Sequence, residues 1–295
     1  MSLVVAQAGS PWYDTEFFND NVWPVGRWLN NGVNWMAREW NALFDAIAWP
    51  IAQLLDAFNG LLEWLPWPVT VALVVIIGWW VRNWKIGVGS GVGLLAIGFL
   101  GADFWALGMQ TFAMIITAVV FSVALGLPLG VWSARNNRID SAVRPVLDAM
   151  QTIHPFVYLL PAVFFFGIGT VPGIVVTVIF AMPPMVRLTS LGIRQVPSDV
   201  VEAARAFGTK DLQLLREVQL PLAKPTILAG LNQTLMLALS MVVIAALIAA
   251  GGIGRAIVRG VGRADIALAG TSGIVVLIIA VILDRISQPG KQAAD

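Results

Sequence analysis

Seven apolar stretches, at about 67–82, 86–106, 109–132, 151–169, 172–192, 226–250 and 268–286, constrain this chain more than any other feature. A helix needs roughly 20 mostly apolar residues to cross the hydrocarbon core of a bilayer. A backbone in lipid must also satisfy its own donors and acceptors, which an α-helix does within one segment. The pattern predicts an all-α, polytopic membrane protein with about seven transmembrane helices. Pro66 and Pro68 shorten the first stretch. With 58% apolar and 12% charged residues and a mean hydropathy of +0.80, the chain lies outside the range of soluble domains.

The same composition removes several function classes. A net charge of +1 and the lack of a basic tract argue against nucleic acid as a partner. With no cysteine there is no disulfide, thiol nucleophile or thiolate metal site, and one histidine cannot make a His-rich metal cluster. No metal site and no catalytic residue are expected. The N-terminus, MSLVVAQAGSPWYDTEFF, has no basic segment followed by an apolar core and does not read as a cleaved signal.

Basic residues set the expected orientation. If residues 196–221 are cytoplasmic, so are Arg82, Lys85, Arg135, Arg138, Arg144, Arg187, Arg194, Arg205, Lys210, Arg216, Lys224, Arg285 and Lys291. Only Arg27, Arg38, Arg255, Arg259 and Arg263 remain for the other side. The positive-inside rule then places the N-terminus outside and the C-terminus in the cytoplasm. The dissenting cluster lies in GGIGRAIVRGVGR, a Gly-rich run that reads as a re-entrant or gating segment.

Residues 1–66 read as an extracytoplasmic, Trp-rich tail, with 67–295 as the transmembrane domain. Eight of the thirteen tryptophans occur by residue 67. From Val33 the apolar residues Met36, Trp40, Leu43, Ile47, Ile51, Leu54, Phe58, Leu61 and Leu65 recur at helical spacing, as in helices that lie in the headgroup layer. Pro50 is expected to kink or split this segment. Further on, Gly87 with Gly91 and Gly89 with Gly93 have the small-xxx-small spacing that lets helices approach in lipid. They do not form a nucleotide loop, since no G-x-x-x-x-G-K-[ST] occurs, and ATP would have to bind another subunit.

One polar island, VPSDVVEAARAFGTKDLQLLREVQLP at 196–221, interrupts the apolar pattern. Ser198 or Asp199 can cap a first short helix, with Glu202 completing a capping box. Ala203, Ala204 and Ala206 give that helix a smooth surface, and Gly208 ends it. Thr209 and Asp211 can start a second helix with Leu212, Leu215 and Val218 on one side, stopped by Pro221. The expected product is a compact helix-turn-helix knob at 198–221. Read alone, Glu202 serves only its own helix end.

Glu202, Ala203, Ala204, Gly208, Val218, Leu220 and Pro221 fall in the register of the E-A-A, x3, G, x9, I, x, L-P signature, with valine for isoleucine as the one departure. On these residues the chain resembles the membrane subunits of ATP-binding-cassette importers. Segments DAMQTIHPFVYLLPAVFFFGIGTVPGIVV, PPMVRLTSLGIRQVPSDVVEAARAFG and QLPLAKPTILAGLNQTLMLALSMVVIAALIAAGGIG are similar to permeases for glycine betaine and proline betaine, whose close relatives handle choline and trimethylamine N-oxide. The likeness covers roughly 70–288. It implies a type I importer transmembrane domain in the bacterial inner membrane, a homodimer of this permease, two ATPase subunits that carry ATP and Mg and dock on the knob, and a separate periplasmic substrate-binding protein, none being fused after Asp295. The same architecture importing an amino acid is the alternative within the class. A channel is the alternative outside it, and would conduct without an ATPase.

Polar groups within apolar spans are costly and usually face a bundle or cavity. Asn232, Gln233, Ser240 and Met241 are therefore candidates for a translocation pathway on the helix after the knob, with hydrogen bonding between helices as the competing reading. Phe156 and Tyr158, with Phe164, Phe165 and Phe166, can offer aromatic faces to a quaternary ammonium, which has no N–H to donate; core or lipid-facing bulk is the other reading. Pro128, Pro161 and the Pro183–Pro184 pair are candidate kinks. His154 reads as an interfacial structural residue.

Overall fold

The computed structural model describes residues 25–288; the expectations placed on residues 1–24 and on Lys291 lie outside them. The described residues contain twelve helices and no strand. The chain divides into two compact units between Ala42 and Leu43. In the first unit, α1 (Val25–Glu39) exposes Trp28 and Trp35. In the second, α2 (Asn41–Trp64) passes through Pro50 without splitting, and buries Ile51 and Leu55 with Phe58 and Leu62 packed beside them.

The seven apolar stretches are largely helical, but Gly101 breaks the second and Ile153–His154 the fourth, and they are not seven equivalent spans. Four are long and apolar enough to cross a membrane: α5 (Ala102–Arg135), α8 (Thr170–Arg194), α10 (Asp211–Ile248) and α12 (Ile266–Ser287). The others are short: α3 (Trp67–Val81), α4 (Trp84–Leu100) and α7 (Pro155–Phe166). At 1.5 Å per residue they measure about 22, 26 and 18 Å, against a hydrocarbon core of about 30 Å. Two are the second arms of bent pairs. α3 turns 112° from α2, and α7 turns 100° from α6 (Asn137–Thr152), so the expected seven becomes four long helices, or six spans if each bent pair counts once. Prolines explain both corners. Pro66 and Pro155 cannot donate to a preceding turn and disfavour helical geometry at the residue before them; His154, before Pro155, is extended at ψ 136°.

Side-chain caps mark several helix starts. Asn83 accepts from the Ile86 N–H at 3.0 Å, Asn136 from Arg138 at 2.9 Å, and Asp265 from Leu268 at 2.9 Å. α11 (Ile253–Gly262) occupies the Gly-rich run read as re-entrant. The loop before it is held by side chains of two long helices: Gly252 donates to Gln110 Oε1 at 2.7 Å, Ile253 to Thr111 Oγ1 at 2.8 Å and Gly251 to Thr170 Oγ1 at 3.2 Å. These bonds satisfy backbone groups that no helix covers. Arg255, Arg259 and Arg263 all face outward.

α8 is the centre of the body, wedged between α5 and α10. Small residues set both contacts. A Cβ on Gly130 of α5 would stand 2.6 Å from Thr189 Cβ and 2.7 Å from the Val186 carbonyl oxygen; one on Gly230 of α10 would meet Leu188 Cβ at 3.1 Å and the Pro184 carbonyl at 3.3 Å. Gly126, Gly173 and Gly192 make similar approaches to Met185, Ala245 and Thr226. Lipid tails are as apolar as leucine, so helices associate in a bilayer through such close contact rather than through expulsion of water.

The Gly87/Gly91 spacing operates as expected, against α3: a Cβ on Gly87 would come within 2.5 Å of the Val75 carbonyl. Gly89 and Gly93 do not form a second such face. Gly93 packs on Ile278 and Ile282 of α12, whereas no atom lies within 4 Å of a Cβ on Gly89.

This contrast supplies a test. Gly130→Val should overpack the α5–α8 contact and destabilise the protein by about 1–3 kcal/mol. Gly89→Val, in open space, should leave the melting temperature of the detergent-solubilised protein close to that of the wild type. Equal melting temperatures for both variants would contradict the packing described.

Candidate coupling and translocation site

α8 ends at Arg194 and the chain turns at Pro197 into α9 (Ser198–Ala206). The N-cap position belongs to Pro197, and neither Ser198 nor Asp199 caps the helix; the expected capping box with Glu202 is not formed. Proline needs no partner for a missing N–H and its fixed φ suits a helix entry. The other end forms as expected. Gly208 adopts φ +79°, its N–H donates to the Arg205 carbonyl at 2.9 Å, and Thr209 donates to Ala204 at 3.2 Å. A left-handed glycine of this kind closes a helix at no steric cost.

The second knob helix departs from its expected form more instructively. Lys210, not Thr209, occupies the N-cap position, and its N–H donates to Gln213 Oε1 at 3.3 Å. The helix does not stop at Pro221. It widens into a π-helical turn at Leu214–Gln219, where Leu220 donates to the Leu215 carbonyl, and continues unbroken as α10 to Ile248. A proline in a regular helix clashes with the carbonyl four residues earlier. The wider turn removes that conflict at Pro221 and keeps the helix continuous. The turn also shifts the packed face: Leu214 and Leu215 are buried while Leu212 is exposed. Leu215 packs with Ile193, Ala223, Val131 and Ile227, tying the knob to α5, α8 and the start of the span.

The candidate coupling residues therefore occupy two settings. Glu202 and Ala203 are exposed on α9 and Ala204 is half-buried. Gly208 is exposed at the tip, and Val218, Leu220 and Pro221 line the π-helical turn and the base of the span. Sequence reasoning passed over Phe207, which is 91% exposed at the tip. Its signal was available: a large aromatic residue just before the helix-ending glycine, within an otherwise polar island. Behind the knob lies a cavity of about 530 Å³ whose lining includes Arg135, Arg194, Glu202, Arg205 and Asp211. Asp211 stands 3.9 Å from Arg135 and 4.0 Å from Arg205, exposed pairs that contribute little to stability.

The pathway candidates are dispersed. Asn232 is half-buried and accepts from Ser287 Oγ of α12 at 2.5 Å, a bond between helices. Gln233 and Ser240 are exposed two turns apart on one stripe of α10, and Ser240 Oγ donates to the Met236 carbonyl at 3.1 Å. Met241 is sealed inside the fold with Leu159, Ala162 and Val176. Phe156 is exposed and its ring lies 5.1 Å from that of His154, which caps α7. Tyr158 donates its hydroxyl to the Ala149 carbonyl at 3.1 Å across the α6–α7 corner. Pro128, Pro161, Pro183 and Pro184 all lie within continuous helices.

An apolar cavity of about 640 Å³ opens between α2, α5, α7 and α8, with Phe44, Phe121, Tyr158, Phe165 and Phe166 among its lining. Phe44 stacks on Phe165 at 4.5 Å and meets Phe166 edge-on at 5.4 Å. No charged side chain reaches this space. It can offer ring faces to a cation, but its one side-chain donor, the Tyr158 hydroxyl, is already given to the Ala149 carbonyl, a combination that disfavours tight retention of a zwitterion. No group of three or more His, Cys, Asp or Glu suited to a metal occurs among the described residues.

Comparison with known proteins places this architecture. Residues 126–288 match the family model described as "binding-protein-dependent transport system inner membrane component". The chain is 49% identical to the glycine betaine/proline betaine transport system permease protein ProW of Escherichia coli, over 92% of this chain and 76% of that protein. It is 42% identical to the glycine betaine transport system permease protein OpuAB of Bacillus subtilis, over 90% and 93%. It is 33% identical to the trimethylamine N-oxide transport system permease protein TmoV of Ruegeria pomeroyi, over 90% and 42%. Among solved structures, a chain of the inward-facing MetNI methionine ABC transporter matches with a TM-score of 0.55 and 22% identity, over 59% of this chain and 87% of that one; the likeness is one of fold. The apolar helices, the knob between two of them and the matched signature converge on a single assignment: the chain belongs to the inner membrane components of binding-protein-dependent transport systems and is a transport permease rather than an enzyme, with the fold of an ABC importer's membrane subunit.

Proposed function

We propose that this permease imports a quaternary-ammonium compatible solute, of the class of glycine betaine, proline betaine, choline or trimethylamine N-oxide. The identity of 42–49% over at least nine-tenths of the chain to permeases named for glycine betaine carries the substrate reading. The aromatic cavity is compatible with it, because a methylated ammonium is attracted to ring faces without needing an acceptor. Tight selection falls to a separate binding protein; the permease, with no charged group at the cavity, passes the solute on.

In this reading two copies of the chain form the pathway. Two ATPase subunits bind ATP and Mg and grip the knobs, with Phe207, Ala203 and the helix-ending Gly208 at the contact and Glu202 at its edge. Closure of the nucleotide sites displaces the knob. The displacement passes into α10 without a joint, because Val218, Leu220 and Pro221 belong to the same continuous helix as Asn232, Gln233, Ser240 and Met241. Gln233 and Ser240 then lie on the stripe that faces the pathway, while Asn232 fixes α10 to α12 and Met241 fixes it to α7 and α8. The N-terminus is outside and the knob and C-terminus are cytoplasmic, which takes an odd number of crossings: the four long helices, the two bent pairs and the short apolar α4; the meeting of Arg82 with the Arg285 carbonyl and of Arg135 with Asp211 is consistent with a shared side for those residues.

Two measurements test this. Phe207→Ala removes a side chain that is almost wholly exposed, so it should leave the melting temperature unchanged while weakening ATPase docking by about tenfold or more; Gly208→Arg should abolish uptake. Wild-type docking and uptake in both would overturn the coupling role. For the solute, proteoliposomes carrying the assembled transporter should hydrolyse ATP faster with a betaine-loaded binding protein; stimulation by an amino-acid binding protein alone would overturn the substrate assignment.

A further inference from the structure

α6 lies antiparallel to the end of α8 and is fastened to it at two points. At the first, Arg194 donates through Nη1 to Asn137 Oδ1 at 2.9 Å and through Nη2 to the Ser133 carbonyl at 2.6 Å, and stands 3.5 Å from Asp140 Oδ2. Ser133 contributes one of the carbonyls that α5 leaves without an intrahelical partner at its C-terminal end. One guanidinium therefore caps α5 and grips the first turn of α6, from a residue four positions before the knob helix begins. At the second point Arg187, two turns back along α8, pairs with Asp148, eight residues beyond Asp140. Beside the second point Leu147 is buried against Met182 and Val186, with Val143 and Met150 packed on the same group.

We propose that Arg194 and Arg187 form a two-point clasp that makes α6 a second output of the knob, so that α6, and α7 beyond its corner, move with the end of α8. The proposal rests on the coupling role of the knob and adds a route to it. An apolar contact centred on Leu147 resists separation but permits rolling and sliding. Two charged contacts spaced along the helix remove those freedoms, and the three-acceptor grip of Arg194 needs the planar fork of arginine. The Arg187–Asp148 pair is exposed, with side chains 42% and 66% accessible, so it adds little to stability. Its value lies in register. The Tyr158–Ala149 bond across the corner then carries α6 movement into α7, which presents Tyr158, Phe165 and Phe166 to the aromatic cavity.

The test uses the assembled transporter in proteoliposomes with its ATPase and binding protein, and reads ATP hydrolysed per solute imported together with ATPase docking. Arg187→Asp and Asp148→Arg should each raise the ratio about fivefold or more while docking stays at the wild-type level. The double exchange should bring the ratio back to within about twofold, the size of an additive error. Arg194→Lys, which keeps the charge but not the fork, should also raise it. An unchanged ratio in the Arg187 and Asp148 single variants, or no recovery in the double exchange, overturns the clasp; these two residues are exposed, so the result does not hinge on Arg194→Lys folding. Failure of the underlying coupling role reads differently, as wild-type docking and import in Phe207→Ala.

Discussion

The close approach of α8 to α5 and α10 is the contact on which the rest of the structure depends. In water a core of this kind would be held by the expulsion of solvent from apolar side chains. In lipid that force is absent between helices, and what remains is contact at short range. Gly126, Gly130, Gly192 and Gly230 provide it by letting backbone and side-chain atoms of the neighbouring helix occupy the space of a Cβ. The C-terminal end of α8 and the N-terminal end of α10 are thereby held together, and the knob is the segment that joins those two ends.

Length turns this packing into a mechanical arrangement. At 34 and 38 residues, α5 and α10 measure about 51 and 57 Å, well beyond the hydrocarbon core. Their surplus reaches out to the knob, where Arg135 of α5 meets Asp211 at the start of α10. No flexible linker separates the knob from the span; the helix carries a π-helical turn that absorbs Pro221, an internal Pro225 and a closing 3₁₀ turn at Ala246–Ile248. A displacement at Phe207 therefore has a stiff path into the membrane through α10, and the clasp on α6 gives it a second.

The seven apolar stretches were legible because hydropathy over a window reports burial in lipid directly. Their unequal lengths were not, because a window ignores where Pro66 and Pro155 break the chain and how two short arms share one crossing. Gly208 was legible, since a left-handed helix end has a strong residue preference. The capping box was misplaced because Pro197 already supplies an entry that needs no side-chain acceptor. Pro221 was read as a stop by a rule for regular helices, and a single wider turn evades that rule. The Arg194–Asp140 contact joins residues 54 positions apart and depends on the antiparallel packing of α6 on α8, which no local pattern encodes. Met241 resembled its neighbours on α10 in sequence, but the helix face on which it falls was fixed only by α7 and α8.

The continuity of knob and span is open to direct measurement. Spin labels at Leu212 and Leu247, both exposed and near opposite ends of α10, should lie about 50 Å apart. Their distance distribution in the assembled transporter should be the same without nucleotide and with ATP trapped, while the distance between the two Leu247 labels of the proposed dimer changes. A change of about one helical turn, ~5 Å, within the Leu212–Leu247 pair would show that the π-helical turn bends as a hinge, and would contradict a jointless rod.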